Sequence, residues 1–403
     1  MAFVVRANTI VTNASAPAQQ GVTFDALGGV RDGALAVDDG RVAWSGNIDD
    51  LPAAYRSAEL HEYRDCVIVP GFIDAHAHPL FAGDREPDFA ARQRGEVAPL
   101  GMLYTVAQTR KALERPQSFW PLIEQRLRTI AAHGTTTLET KTGYALHKPG
   151  EMDLLTLIDE HRDEAAMPRL VGTFLGAHAL PPEFTNEVDY VDYLIDQCMP
   201  FAKAHGAVYA DAFCEPGFFS PMQTRRYLEA ARAHGLRLRV HCDEMAYGAA
   251  AQMAADLGVD AVDHCNCIRE EDIEAIVRRE IVTVACPATI AYLDLAQRAP
   301  VRALLQRGGM VALASDYNPG TSPCFNLQTV AFFARKFFGL SAAEALYGVT
   351  LAAARSLRIV AGTLRNGAAA DFVALRLESP EEFGWQFGGN LAAAVYRNGR
   401  PVR

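Results

Sequence analysis

The tripeptide Ala-His-Gly occurs three times in the middle of this chain, at Ala132–Gly134, Ala204–Gly206 and Ala233–Gly235, each closing an amphipathic helical stretch. An apolar, β-branched run follows each copy: TTTLET, AVYADAFCE and LRLRVHCDE. Glycine just past a helix end takes the left-handed conformation that stops the helix, and histidine in the last turn suits the helix dipole. His133, His205 and His234 therefore read as helix caps and not as ligands. Helix-then-strand units in series imply a parallel sheet covered by helices. Candidate strands begin near Val67, Thr135, Leu170, Val208, Leu236, Ala261, Val282 and Val311. Eight such units favour a closed (β/α)8 TIM-like barrel over an open doubly wound sheet.

The two ends of the chain have a different texture. Short β-rich runs such as AFVVRANTIVTN, GALAVDDGRVAWSG and HEYRDCVIVPG alternate with turns, one of them at Asp39-Gly40, and read as antiparallel strands. GTLRNGAAADFVALRLES and AAAVYRNGRPVR repeat that texture at the C-terminal end. The expected organisation is an α/β chain in which residues 67–358 form the barrel. Residues 1–66 and 359–403 supply a small β-sandwich built from both ends.

Reactive residues in such barrels cluster at the C-terminal ends of the strands, and that rule works as a filter. VIVPGFIDAHAHPLFAGDRE places His76 and His78 two apart at the end of the first barrel strand, where side chains two apart share a face. His-x-His alone is a weak signal, hydrogen-bonded structural histidines being commoner. RLRVHCDE ends in His241 with Glu244 three residues on, GVDAVDHCN in His264, and MVALASDYNPGT in Asp316. Buried polar groups need partners, so this series of polar endings on apolar strands points to a site. Three histidines and an aspartate suit a divalent or trivalent metal with open positions. TTTLETKTGYAL puts Lys141 and Tyr144 in the fourth-strand region if short elements intervene, and TFLGAHALPPEF carries His178. Arg85 follows the histidine pair, where it either meets a ligand or forms a surface ion pair with Asp84 or Glu86. Tyr144 either reaches the site or packs beneath the loop. Cys242, Cys265 and Cys267 lack the second pair a closed zinc site needs and read as small buried apolar residues.

Composition excludes whole classes of function. With 38 Lys and Arg against 48 Asp and Glu, the net charge of -10 leaves no excess cation to neutralise a nucleic acid. A small anionic ligand held by one local arginine remains compatible. The first twenty residues, MAFVVRANTIVTNASAPAQQ, contain no apolar run long enough for a signal core or a spanning helix. The 8 cysteines show no framework spacing and read as reduced thiols. A cytoplasmic protein, bound neither to membrane nor to nucleic acid, is the expectation.

PGFIDAHAH, AGDRE, ETKTGY, TFLGAHA, DAFCEPGFFS, HCDE, VDHC, SDYNPGT and GTLRNGAAADFVAL occur in that order along most of the chain. Together they resemble the metal-dependent amidohydrolase superfamily and, within it, the imidazolonepropionase family of histidine degradation. His-x-His and the late aspartate mark only the superfamily, whereas AGDR, KTGY, LGAH and DYNPGT are more specific. The resemblance implies that His76, His78, His241 and Asp316 hold one zinc or iron ion per subunit. It implies a substrate pocket of Arg85, Tyr144, His178, Glu244, Asn318, Gly320 and Thr321, with Glu244, His264 and Asp316 catalytic. It further implies a homodimer and, as substrate, a small anionic heterocycle, 4-imidazolone-5-propanoate, opened to N-formimidoyl-L-glutamate.

Two departures stand out. Ala77 lies between the paired histidines where the family usually has threonine. RGEVAPLGMLYTVAQTR replaces a tyrosine and a glycine-rich run, and this 95–103 loop bears on substrate preference. In related enzymes a lysine near the fourth strand is carbamylated to bridge two metals; the resemblance favours an unmodified Lys141. Two rival readings are a superfamily deaminase or lactam hydrolase acting on another heterocycle, since HCDE also suits deamination, and a non-catalytic metal-stabilised barrel.

Overall fold

The computed structural model describes residues 2–15 and 17–402. Eight parallel strands form the barrel sheet: β1 (Phe72–Asp74), β2 (Thr135–Lys141), β3 (Arg169–Ala177), β4 (Tyr209–Cys214), β5 (Arg237–Cys242), β6 (Ala261–His264), β7 (Val282–Ala285) and β8 (Val311–Leu313). Each strand pairs with the next in sequence. The ring closes beyond the strands themselves, where Ala77 and Tyr317 form a parallel bridge. There His78 N–H donates to Tyr317 O and Asp316 N–H donates to His76 O, both at 2.9 Å. The bonds that close the barrel thus also bring together three of the candidate ligands.

The residues explain the layers. Every residue of β2, TTTLETK, is buried, as a strand covered on both faces requires. Helices between strands present alternating faces: in Pro116–Ala132 the buried residues are Phe119, Ile123, Leu127, Ile130 and Ala131, a three-and-four spacing. The three Ala-His-Gly copies follow helical segments, with Gly134, Gly206 and Gly235 at φ of 105, 99 and 79°. The His133 ring donates from Nδ1 to Thr129 O at 2.8 Å and so satisfies a carbonyl of the last turn.

The chain ends build a second, separate eight-stranded sheet. Its strands Gly33–Asp38 and Arg41–Asn47 meet at Asp39-Gly40, the expected hairpin turn. Glu59–Pro70 runs parallel to Phe3–Val11 and antiparallel to Phe372–Leu375, which ties the two ends of the chain together.

Two strand positions differ from expectation. Val67 does not open the barrel, because residues 67–70 finish Glu59–Pro70 in the terminal sheet and β1 starts at Phe72. The run is apolar on both faces because it serves two cores: Val67 and Val69 join the barrel core, while Cys66 and Ile68 join that of the small sheet. Lys141 ends the second barrel strand, not the fourth. β2 pairs directly with β1 and β3, and the intervening sequence forms the helices Glu86–Gln93, Gly101–Leu113 and Pro116–Ala132. No helix among the described residues is long and apolar enough to cross a membrane.

Candidate active site

His76 and His78 lie on the extended segment just past β1, His241 on β5, and Asp316 just past β8. The two nitrogens His76 Nε2 and His78 Nε2 face each other at 3.2 Å, and Asp316 Oδ1 lies 3.4 Å from each. One ligand atom from each of His76, His78 and His241 falls within 4.8 Å of the others. Burial and the Lys141 cation lower the His76 pKa to about 3, and burial lowers that of His78 to about 4, so both rings are neutral at pH 7. Burial works against charge on Asp316, but its contacts with His76 and His78 outweigh it and hold the carboxylate ionised. Neutral imidazole nitrogens converging on a buried carboxylate oxygen form a donor set that fits a divalent cation.

Groups behind these side chains fix their orientation. His76 Nδ1–H donates to Asp263 Oδ2 at 2.7 Å, and His241 Nδ1 lies 3.0 Å from Asp211 Oδ2. That arrangement turns each Nε2 lone pair toward the common centre. Lys141 Nζ reaches Asp211 Oδ2 at 2.7 Å, Glu139 Oε1 at 2.8 Å and Asp263 Oδ2 at 3.5 Å. Arg239 donates from Nη2 to Asp263 Oδ1 at 2.8 Å and to Ala75 O at 2.7 Å. All five side chains are fully buried. Burial opposes charge on Lys141, but the surrounding carboxylates outweigh it and raise its pKa. A carbamate at this position would set anionic oxygens against three carboxylates, so the geometry suits an unmodified ammonium.

A cavity of about 390 Å³ opens over this centre. His78, His241 and Asp316 line it together with Arg85, Tyr144, His178, Glu244, His264, Asn318 and Thr321. Of the remaining predicted residues, His76 is wholly buried behind the wall and Gly320 lies under Arg85. His264 and Asp316 have φ of 68 and 51°, left-handed values that cost a non-glycine residue about 1–3 kcal/mol and cluster at functional sites. His264 Nδ1 lies 3.6 Å from Glu244 Oε1, and neither ring nitrogen of His264 has a hydrogen-bond partner. Burial raises the Glu244 pKa, while His264 pulls it the other way and Asp316 adds to the rise. Glu244 therefore holds its proton to higher pH than an ordinary glutamate.

The other wall is amphipathic. His178 stacks on His78 at 5.2 Å between ring centroids and donates from Nδ1 to Gly143 O at 3.0 Å. Burial and the His78 and His241 rings push its pKa well down. Tyr144 is buried 5.3 Å from the His178 ring; it lines the cavity, so of its two expected positions it takes the one at the site. Arg85 pairs with neither Asp84 nor Glu86. Its Nε donates to Asp88 Oδ2 at 2.6 Å, which leaves both terminal amines for the cavity. A Cβ on Gly320 would lie 2.1 Å from Arg85 Nη1, so only glycine lets the guanidinium lie against this backbone. Asn318 spends its side chain on the turn itself: Oδ1 accepts from Gly320 N and Thr321 N, both at 2.8 Å, and Nδ2 donates to Asp316 O at 2.6 Å. The divergent 95–103 stretch is loop only as far as Leu100; Met102, in the first turn of the Gly101–Leu113 helix, supplies apolar surface together with Phe213, Phe218 and Leu295.

The residues missed in the sequence are those that act through others. Asp211 and Asp263 are charges inside apolar strands, a signal that was present in YADAFCE and VDHC. Glu215 accepts from the backbone N–H of Glu244, Met245 and Ala246 at 2.7–3.0 Å and so shapes the loop that carries Glu244. Arg92 reads in sequence as an ordinary helix charge. All eight cysteines are free, and Cys286 joins His76 and His264 in a further close group beneath the site. Burial drives the Cys286 thiol pKa well up, which makes it a poor ligand.

Parallel barrel, rim histidines and late aspartate define a metal-dependent hydrolase class. Residues 67–402 match the amidohydrolase family, and the chain belongs to it. Within that family the similarity is to imidazolonepropionases. The protein of that name from Ralstonia nicotianae is 37% identical over 389 residues, covering 94% of this chain and 95% of its own. The one from Cupriavidus pinatubonensis is 38% identical over 381 residues, covering 92% and 89%. Solved structures share the fold at lower identity. A guanine deaminase from C. acetobutylicum superposes with TM-score 0.71 at 17% identity over 100% of both chains. A triazine hydrolase variant gives TM-score 0.74 at 18% identity over 99% of this chain and 94% of that one.

Proposed function

We propose that this chain hydrolyses the cyclic amide C–N bond of 4-imidazolone-5-propanoate, giving N-formimidoyl-L-glutamate in histidine degradation. The observation that carries the reading is one cavity with His78, His241 and Asp316 on one wall and the free terminal amines of Arg85 on another. A heterocycle with a short carboxylate arm has the two chemistries this pocket answers. His76, His78, His241 and Asp316 are the residues to hold one zinc or iron ion per subunit. Such an ion supplies Lewis acidity that polarises a carbonyl and acidifies water.

The chain's own residues then have separable tasks. Arg85 holds the propionate carboxylate through two charge-assisted hydrogen bonds, and Tyr144 adds a phenolic donor. His178 and the backbone of residues 318–321 orient the ring. His264, at the Glu244 carboxyl, takes the proton of the attacking water. Water oxygen bonds to the ring carbonyl carbon, the C–N bond breaks, and Glu244 gives its own proton to the departing ring nitrogen and is reprotonated from His264, 3.6 Å away. Thr289 Oγ1 donates to Asp316 Oδ2 at 2.8 Å and keeps that carboxylate from rotating as charge moves.

Free, largely buried cysteines support a reducing cytoplasmic setting. Two exposed aromatics, Trp385 and Phe387, the latter beside Phe332 and Phe333, support a homodimer built on that face. The proposed domains are residues 1–66 with 359–403 and residues 67–358, with Val67 and Val69 packing in the barrel core and Ile68 in that of the small sheet. The deciding experiment pairs metal analysis with the loss of imidazolone-propionate absorbance. Turnover that stops on chelation and returns with zinc or iron supports the reading. Ammonia release from other heterocycles without turnover of imidazolone propionate would sink it.

A further inference from the structure

The carboxylate end of the pocket contains a second guanidinium. Arg92 lies in the last turn of the Glu86–Gln93 helix, lines the same cavity as Arg85, and donates from Nη1 to Gly320 O at 3.0 Å. Arg85 packs against that same Gly320. Two cations therefore meet on one residue of the pocket wall. The carboxylate between them in sequence is Asp88, and three donors other than Arg92 hold it. Oδ2 takes Arg85 Nε at 2.6 Å and Gly101 N at 3.1 Å, while Oδ1 takes Leu100 N at 2.8 Å. Asp88 stands four residues before Arg92, a spacing at which helices pair opposite charges. Even so, among the described residues no carboxylate oxygen lies within the 4.0 Å ion-pair distance of the Arg92 guanidinium.

Two guanidiniums and one carboxylate leave one positive charge without a partner at a half-buried wall, which an incoming anion stabilises. Of the cavity-lining carboxyls, Asp316 faces His76 and His78, and Glu244 faces His264. We propose that Arg92 is a specificity-determining residue that binds the substrate carboxylate together with Arg85. A carboxylate offers about four lone-pair sites. Arg85 reaches them with its terminal amines, and Arg92 with the donors that Gly320 O leaves free. This assignment rests on the imidazolone-propionate reading above, since it is the propionate arm that the pair grips.

The test is steady-state kinetics of wild type, Arg92→Gln and Arg92→Lys on two substrates, imidazolone propionate and the same ring carrying ethyl in place of propionate. The expected result is a KM for the propionate substrate raised about ten- to a hundredfold in Arg92→Gln, the range for a lost hydrogen bond to a charged group, with kcat within about threefold. Loss on the ethyl analogue stays below about threefold by the same reasoning, and Arg92→Lys recovers part of the KM but not the forked geometry. Equal losses on both substrates would mean that Arg92 only props Gly320, and that overturns the proposal, as does an unchanged KM. If the wild type turns over neither substrate, the functional reading fails by itself. Calorimetric binding of the two heterocycles then decides the clamp, with Arg92→Gln expected to weaken only the carboxylate-bearing one.

Discussion

The two ends of the pocket are built on opposite plans. At the metal end, side chains rise from strand ends and rest on a fully buried lattice of Glu139, Lys141, Asp211, Arg239 and Asp263. His76 and His241 there are each backed by a carboxylate of that lattice, Asp263 and Asp211. At the carboxylate end, Arg85 and Arg92 come from a helix and the segment leading into it, with Asp88 and the backbone of Gly320 as supports. The first plan fixes atoms to the precision a reaction needs, at a cost in desolvation that only mutual pairing offsets. The second leaves guanidinium donors free of carboxylate partners at the cavity, which suits a group that must be captured and released. On the proposed function, chemistry falls to the part of the barrel mouth built on strand ends and recognition to the part built on a helix and the segment before it.

The largest effect expected from that contrast is at Lys141. Lys141→Met keeps much of the side-chain volume but leaves Glu139, Asp211 and Asp263 with Arg239 as their only buried cation. Removing one partner from a buried charge pair costs about 3–5 kcal/mol. Loss of support behind a metal ligand costs about 10–100-fold in metal affinity. Thermal unfolding together with chelator competition reads both quantities. If the variant keeps the wild-type melting point and holds its ion as tightly, the lattice is not what supports the metal end.

Arg85→Ala tests the other plan and should behave differently. Its carboxylate contact exists in ground and transition states alike, so KM should rise while kcat holds. Losing hydrogen bonds to a charged group costs about 1.5–3 kcal/mol, or about ten- to a hundredfold in KM. Metal content and melting point should stay near wild type. A fall in kcat with KM unchanged would remove Arg85 from the carboxylate contact and erase the division between the two ends.

The same division explains what could be read from the sequence. Metal-end residues sit at strand ends, and strand order in a barrel follows chain order, so His76, His78, His241, His264 and Asp316 could be aligned on one rim before any coordinates. Lys141 was visible too, but its strand number was not, since residues 75–134 fold as loop and helices where further strands were allowed for. Val67 was misplaced because a run shared by two cores looks the same as a run buried in one. The carboxylate end was half legible. Arg85 stood out from its motif, whereas Arg92 looks in sequence like half of an i, i+4 pair with Asp88. Only the fold shows that Asp88 is taken by Arg85 and by the backbone of Leu100 and Gly101.

The smallest effect belongs to a region outside both ends, and it separates the stability of the scaffold from that of the site. Glu344 accepts from Arg302 Nη1 and Nη2 at 2.8 and 2.7 Å, from Gly21 N at 2.9 Å and from Ser341 N at 2.8 Å. Burial raises its pKa, but Arg302 and these backbone donors outweigh it and lower it from 4.5 to about 2. A carboxyl whose folded pKa is depressed adds stability above its unfolded value and loses it as pH falls through the folded one. The Glu344 contribution is therefore complete above pH 4.5, declines below it and is gone below about 2. Glu344→Gln should cost about 1.5 kcal/mol at pH 7, the low end for hydrogen bonds to a charged group. It should also flatten the melting-point profile in that acid window while KM and metal content stay at wild type. Asp211 and Asp263, also held below their ordinary range, still titrate in acid in both proteins, so the difference between the two profiles isolates Glu344. Parallel profiles would remove Glu344 from the acid sensitivity of this fold.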